Sequence, residues 1–129
     1  MPTFWNLSNH SVHSAWTPAQ KAAAEAWGGE SRILREIPFP AVDPEADHQA
    51  VGELAERVMG ALLEAGARPG DPIMVMGEFT LTHALVLRLK AAGLVPVTAT
   101  THREATERRQ GDGSLVIQHT FRFVRFRQY

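Results

Sequence analysis

The chain has 129 residues, 13 Lys and Arg against 14 Asp and Glu, and no cysteine. One domain of this size buries enough surface for a single core, so residues 1–129 are read as one domain. The missing thiols exclude disulfides, thiolate metal sites and cysteine nucleophiles. Charge is uneven: residues 1–100 hold 7 basic and 11 acidic side chains, whereas residues 101–129 hold six arginines against three acids. The net charge of −1 is not that of a duplex nucleic-acid binder. No apolar stretch reaches the ~20 residues of a membrane span, and Met1–Trp5 lacks a basic region, so a soluble, cytoplasmic protein without a signal peptide is expected.

Thr3–Ser8 reads as a first strand. Thr17-Pro18-Ala19-Gln20 combines a threonine cap, proline at the first helical position and glutamine at the capping-box position, which predicts a helix running to Trp27 and ended by Gly28-Gly29. Ile33–Phe39 is a second strand closed by Pro38 and Pro40. Asp43-Pro44 is read as the cap of a second helix, whose stripe Val51, Leu54, Ala55, Val58 and Leu62 repeats at helical spacing. After the turn Pro69-Gly70-Asp71, Ile73–Met76 is apolar without alternation, the pattern of a strand buried on both faces. A third helix is expected from about Thr80 to Ala92, then a buried strand Val95–Thr100. The tail, about His102–Gln110 and Leu115–Arg127 around Gly111-Asp112-Gly113, reads as a β-hairpin with a bulge near Phe123-Val124.

This order predicts an open α/β sheet, mainly parallel, flanked by helices, with a C-terminal antiparallel β-hairpin. Ligands of such sheets bind at the carboxyl ends of the strands. Three segments fall there. Ser8-Asn9-His10 can cradle a phosphate or ribose beside an imidazole that titrates near neutrality, or can form an ordinary turn. Gly77-Glu78 offers close backbone approach and a carboxylate to orient a hydroxyl or act as base, or a cap for the third helix. Thr100, Thr101, His102 and Arg103 join hydroxyls to a guanidinium in a phosphate clamp, although threonine also simply favours strands. His10 and His13 with Glu78 could begin a metal site, but no ligand motif supports one and none is expected. Phenylalanine and arginine alternating over Phe121–Arg127 fit a single-stranded nucleic-acid surface or, better, an amphipathic strand. Neither a P-loop, nor a glycine-rich dinucleotide motif, nor a nucleophile elbow is present, and no cofactor is expected.

Several segments taken together resemble a known group. They are Asn6–His10, Ile37–Pro44, Gly77–Thr80, Thr100–Arg103 and Phe123–Tyr129. The chain is similar to the CARF-like, Rossmann-fold ring nucleases, small stand-alone proteins of type III CRISPR systems. The resemblance implies a homodimer that binds a cyclic oligoadenylate messenger, most naturally the tetra-adenylate, and cuts it to end antiviral signalling. It implies metal-independent attack of a ribose 2′-hydroxyl on the neighbouring phosphate. His10, Glu78 and Arg103 would then be acid, base and charge stabiliser. Ser8, Asn9, Gly77, Thr100, Thr101 and His102 would hold the ligand. A non-catalytic sponge for the same messenger and an unrelated small nucleotide hydrolase are the alternatives.

Overall fold

The computed structural model describes residues 1–129. Its elements are β1 (Thr3–Ser8), α1 (Pro18–Glu25), a 3₁₀ turn at Trp27–Gly29, β2 (Ile33–Glu36), α2 (His48–Glu64), β3 (Pro72–Met76), α3 (Phe79–Ala91), β4 (Val95–Arg109) and β5 (Leu115–Gln128). The strands form one curled sheet in the order β2-β1-β3-β4-β5. The first four are parallel and β5 runs antiparallel to β4. The fold is therefore mixed α/β, as the alternation of elements predicts. No helix is long and apolar enough to cross a membrane.

Period-two alternation divides the core between the two faces of the sheet. Trp5, Leu7, Ile73 and Val75 point toward α2 and α3, where they meet Val51, Ala55, Leu62, Leu81, Leu85 and Leu89. Phe4, Met74 and Val97 point the other way and pack with Trp16, Ala24 of α1 and Phe126 of β5. Strand β3 is thus buried on both faces, as its unbroken apolar run requires. Leu62, Leu81, Leu85 and Leu89 are fully buried. Truncating any one of them to alanine would cost about 2–5 kcal/mol.

Thr17 caps α1 through the Gln20 amide, as expected, but the helix ends at Glu25 rather than Trp27. The chain tightens there into the 3₁₀ turn, with Gly28 at φ 70. Strand β2 stops at Glu36, because the proline-flanked Ile37–Pro40 cannot continue a ladder. The cap of α2 is Asp47, whose side chain accepts from Ala50 N, and not Asp43. Asp43 instead closes a separate turn, accepting from Glu45 N on its side chain and from Ala46 N on its carbonyl. A helix begun at Pro44 would extend a turn that has little apolar surface to bury. The expected break between a fourth strand and the hairpin is also absent. Strand β4 runs unbroken to Arg109 and pairs with β5 from Val97↔Gln128 to Arg109↔Leu115. The bulge lies where expected: Thr100 faces Arg125 and Thr101 faces Phe123, leaving Val124 as the extra residue.

Two consequences of β4 shape the carboxyl edge. Its pairing with β3 ends at Met74↔Val97. Beyond that point Ala99 N donates only to Met76 Sδ, at 3.4 Å, and Tyr129 Oη donates to Val75 O at 2.6 Å. The strands part into a seam. Farther on, β4 and β5 leave the body as a two-stranded ribbon in which every residue from Thr101 to Arg122 is exposed.

Candidate functional site

The loop following β1 is tied to the sheet from beneath. Asn6 and Ser8, both buried, lie on the same side of β1. Asn6 Nδ2 donates to His10 O at 2.8 Å and to Glu36 Oε1 at 2.9 Å. Ser8 Oγ donates to Asn6 Oδ1 at 2.7 Å and accepts from His10 N at 3.1 Å. Trp16 Nε1 donates to the same His10 carbonyl at 3.1 Å, and Val12 N donates to the Glu36 carboxylate. Partial burial pushes the Glu36 carboxyl up, but bonds from Val12, Asn6 and Ser11 and the charge of His13 outweigh it and hold the pKa below the usual range. A polar network anchored on two buried side chains and satisfied in this way fixes one loop conformation.

The fixed loop makes one wall of a cavity of about 410 Å³ at the carboxyl edge. His10, Trp16, Thr17 and Gln20 line one side, and Met74, Met76 and Ala99 line the sheet side. Thr101, Phe121 and Phe123 of the β4–β5 hairpin complete it. The walls are mainly aromatic and thioether, with four polar side chains among them. Such a space suits a flat, apolar ring whose edge carries hydrogen-bonding groups. A larger cleft, about 690 Å³, lies at the opposite, amino edge of the sheet beside Arg32, Arg35 and Arg68. Two of its three guanidiniums serve the chain itself. Arg32 is bonded to Trp27 O, Thr3 O and Glu30; Arg35 is bonded to Ala65 O and stacks 4.6 Å from the Trp5 ring centre. The carboxyl-edge cavity is the better site.

Of the residues singled out by sequence, His10 and Thr101 share this cavity with Phe121 and Phe123 of the alternating tail, whereas Ser8, Asn9, Gly77, Glu78, Thr100, His102 and Arg103 do not line it. The Ser8 hydroxyl is committed to the loop network. Asn9 is exposed, and its N–H donates to Met76 O at 3.3 Å. Gly77 permits close approach, but what approaches is the Phe39 ring, 2.5 Å from where a Cβ would stand. Glu78 caps α3, one carboxylate oxygen accepting from Thr80 N at 3.0 Å and the other from Leu81 N at 2.8 Å. These bonds, with that of the Thr80 hydroxyl, lower its pKa.

Thr100 Oγ1 donates to Arg125 O at 3.0 Å and, with His102, sits on the face opposite Thr101. Arg103 shares the face of Thr101 but stands out on the ribbon opposite Phe121, where its Nε donates to His119 Nδ1 at 3.3 Å. His10, His13 and Glu78 do not gather into a metal-binding group. Asn6 and Glu36 escaped the sequence reading. The available signal was an asparagine inside an apolar strand, two residues before a serine on the same face.

The fold and cavity define an α/β protein with an aromatic-walled site at the carboxyl ends of its parallel strands. The chain belongs to the Uncharacterized protein MJ1673 family, whose model matches residues 2–127. It is similar to Uncharacterized protein MJ1673 of Methanocaldococcus jannaschii, at 33% identity over 67 residues. That match spans about half of each protein, 52% of this chain and 51% of the relative.

Proposed function

We propose that this chain is a Rossmann-like, cytoplasmic ring nuclease. In this reading it binds a cyclic oligoadenylate, most naturally the tetra-adenylate, as a homodimer. The observation that carries the proposal is the cavity shared by His10 and Thr101. Its aromatic and methionine walls match the faces of an adenine, while Gln20, Thr17 and Thr101 can meet the base edge. A ring of several nucleotides exceeds one such cavity, and two cavities related by a dyad would match its symmetry.

Cleavage needs no cofactor. The ribose 2′-oxygen attacks the adjacent phosphorus, the bond from phosphorus to the 5′-oxygen breaks, and a 2′,3′-cyclic phosphate remains. The proton lost by the 2′-hydroxyl is balanced by the one gained at the 5′-oxygen. His10 moves these protons. Arg103 reaches the phosphate charge from the ribbon, and Thr101 positions the ribose or phosphate. Glu78 is the weaker base, because the helix cap that lowers its pKa makes it a poor proton acceptor.

A second reading is favoured by one observation: no carboxylate lines the cavity. A site without a strong base fits a sponge that sequesters the messenger and leaves it intact. Incubation with cyclic tri-, tetra- and hexa-adenylate in the presence of EDTA, with separation of products, tests both. Turnover of excess ligand into linear adenylates with 2′,3′-cyclic phosphate ends is expected. Stoichiometric binding without product would favour the sponge, and no binding of any ring would overturn both.

A further inference from the structure

The β4–β5 ribbon holds most of its surface in common with nothing else in the chain. From Thr101 to Arg122 there are 22 consecutive exposed residues, and the paired part extends roughly 30 Å at the usual strand rise. An isolated two-stranded ribbon is marginal in water, so something else has to contribute to its order. Among its polar and charged side chains stand large apolar ones. Leu115, Ile117 and Phe121 are 58%, 61% and 64% exposed. By strand period they share one face with Phe123, so an apolar row, interrupted at His119, runs from the tip down into the cavity wall.

We infer that this face of the ribbon is covered by a second copy of the chain, ribbon against ribbon. The inference rests on the dimeric part of the reading above and is independent of the ligand. Three observations select the occupant. First, Thr101–Arg122 carries four arginines (Arg103, Arg108, Arg109, Arg122) against three acids (Glu104, Glu107, Asp112), a net charge of +1, and Arg122 is paired with Glu104, so it offers little field to nucleic-acid phosphates. Second, the residues beside the apolar row are Arg103, Ala105, Glu107 and Arg109, paired with Phe121, His119, Ile117 and Leu115. A row of apolar groups flanked by both signs of charge is self-complementary under a two-fold axis, as an isologous contact requires. Third, nine of the 22 residues lie on this face and Phe123 continues it, which is the size of a small two-fold contact between two such ribbons. Because Phe121 and Phe123 also wall the cavity, the pairing would close each site with the partner's arm and bring the two cavities onto one axis.

Sedimentation equilibrium of the full chain without nucleotide, across micromolar concentrations, tests this. A dimer is expected. The double variant Leu115→Glu, Ile117→Glu touches no cavity residue and should weaken association on the order of a hundredfold. Because that variant could lose its ribbon altogether, a trimmed chain with Asn-Gly joining Thr101 to Phe123 is the second probe. It should keep a cooperative melt and sediment as a monomer. In this cysteine-free chain, Ile117→Cys should give a covalent dimer with a short bis-maleimide. A wild-type monomer, a dimer that survives both ribbon variants, or a folded Ile117→Cys chain that does not cross-link would each overturn the inference. A monomer whose ribbon variants lose binding to single-stranded oligoadenylate would make nucleic acid the occupant instead. An intact dimer that binds no cyclic oligoadenylate would sink the proposed function and leave this interface standing.

Discussion

The loop after β1 and the ribbon beyond the bulge leave the same edge of the sheet, yet they are held in opposite ways. The loop is short and irregular, but its backbone is bonded to Asn6, Ser8 and Glu36, two of them buried. The ribbon is long and regular, with a full ladder of main-chain bonds, and every side chain along it is exposed. Regularity and rigidity are therefore separate properties here. A loop is rigid when its polar groups are satisfied by buried partners that have no alternative. A ribbon paired only with itself has no such anchor, because water competes for its bonds at little cost. The cavity lies between the two, with a fixed wall carrying His10 and an adjustable wall carrying Thr101, Phe121 and Phe123.

This contrast can be tested most severely at His10. If the fixed wall carries the proton chemistry, His10→Ala lowers the ring-cleavage rate by roughly 10²–10⁴ while affinity changes little. Single-turnover rates and equilibrium titration together check it, and a wild-type rate in the folded variant would return His10 to the role of a loop residue. Next in size is Asn6→Ala, which strips partners from buried groups and should cost about 1–3 kcal/mol in urea unfolding. Its counterpart on the ribbon, Thr106→Ala, removes a hydroxyl bond to Gln118 O at an exposed site. That change should stay within about 0.5 kcal/mol, and equal losses at the two positions would erase the distinction.

Glu78 separates cap from base. Glu78→Ala should lower the melting temperature by a few degrees, with cleavage per folded molecule unchanged; an unchanged melt with a lost rate would make the carboxylate a base. The smallest effect is the pH dependence from Glu36. Its folded pKa is depressed, so its contribution is present above the ordinary glutamate value of about 4.3 and fades as pH falls through and below it. Urea midpoints measured from neutral to acid pH should show that decline in the wild type and a shallower one in Glu36→Gln.

Most of the architecture was legible because burial writes itself into periodicity. Thr3–Ser8, the apolar strand Ile73–Met76, the Thr17 cap and the bulge near Val124 all follow from local pattern. The misread places share one cause: side-chain pattern reports burial, whereas strands and helix ends are defined by the backbone. Strand β4 passes Thr101 without interruption because its ladder with β5 continues after burial has ceased. Asp43 and Asp47 are equally good caps in isolation, and the point at which the Val51, Ala55, Val58, Met59, Leu62 stripe begins decides between them. The cavity was legible at His10 and Thr101, which strand ends place together. Asn6 and Glu36 were not, since their importance lies in contacts made across β1, β2 and the loop, which no single segment displays. Gly77 is a position of close approach, but the approaching group is not a ligand; it is Phe39, 38 residues earlier in the chain.

The seam between β3 and β4 gives the cavity floor an unusual mechanical character. In most sheets, widening such a floor would break amide-to-carbonyl bonds one after another. Here the bond from the Ala99 amide ends on the Met76 sulfur, a weak and polarizable acceptor on a flexible stem, and the firmer tie across the opening is the single Tyr129 hydroxyl on Val75 O. The Ala99 amide should accordingly exchange with deuterated solvent faster than Met74 and Val97 just below it. Parting the strands at that point stretches a soft thioether contact and slides a methionine, so the floor yields like a hinge pin in a loose sleeve. The cavity floor can thereby widen slightly without unzipping the sheet.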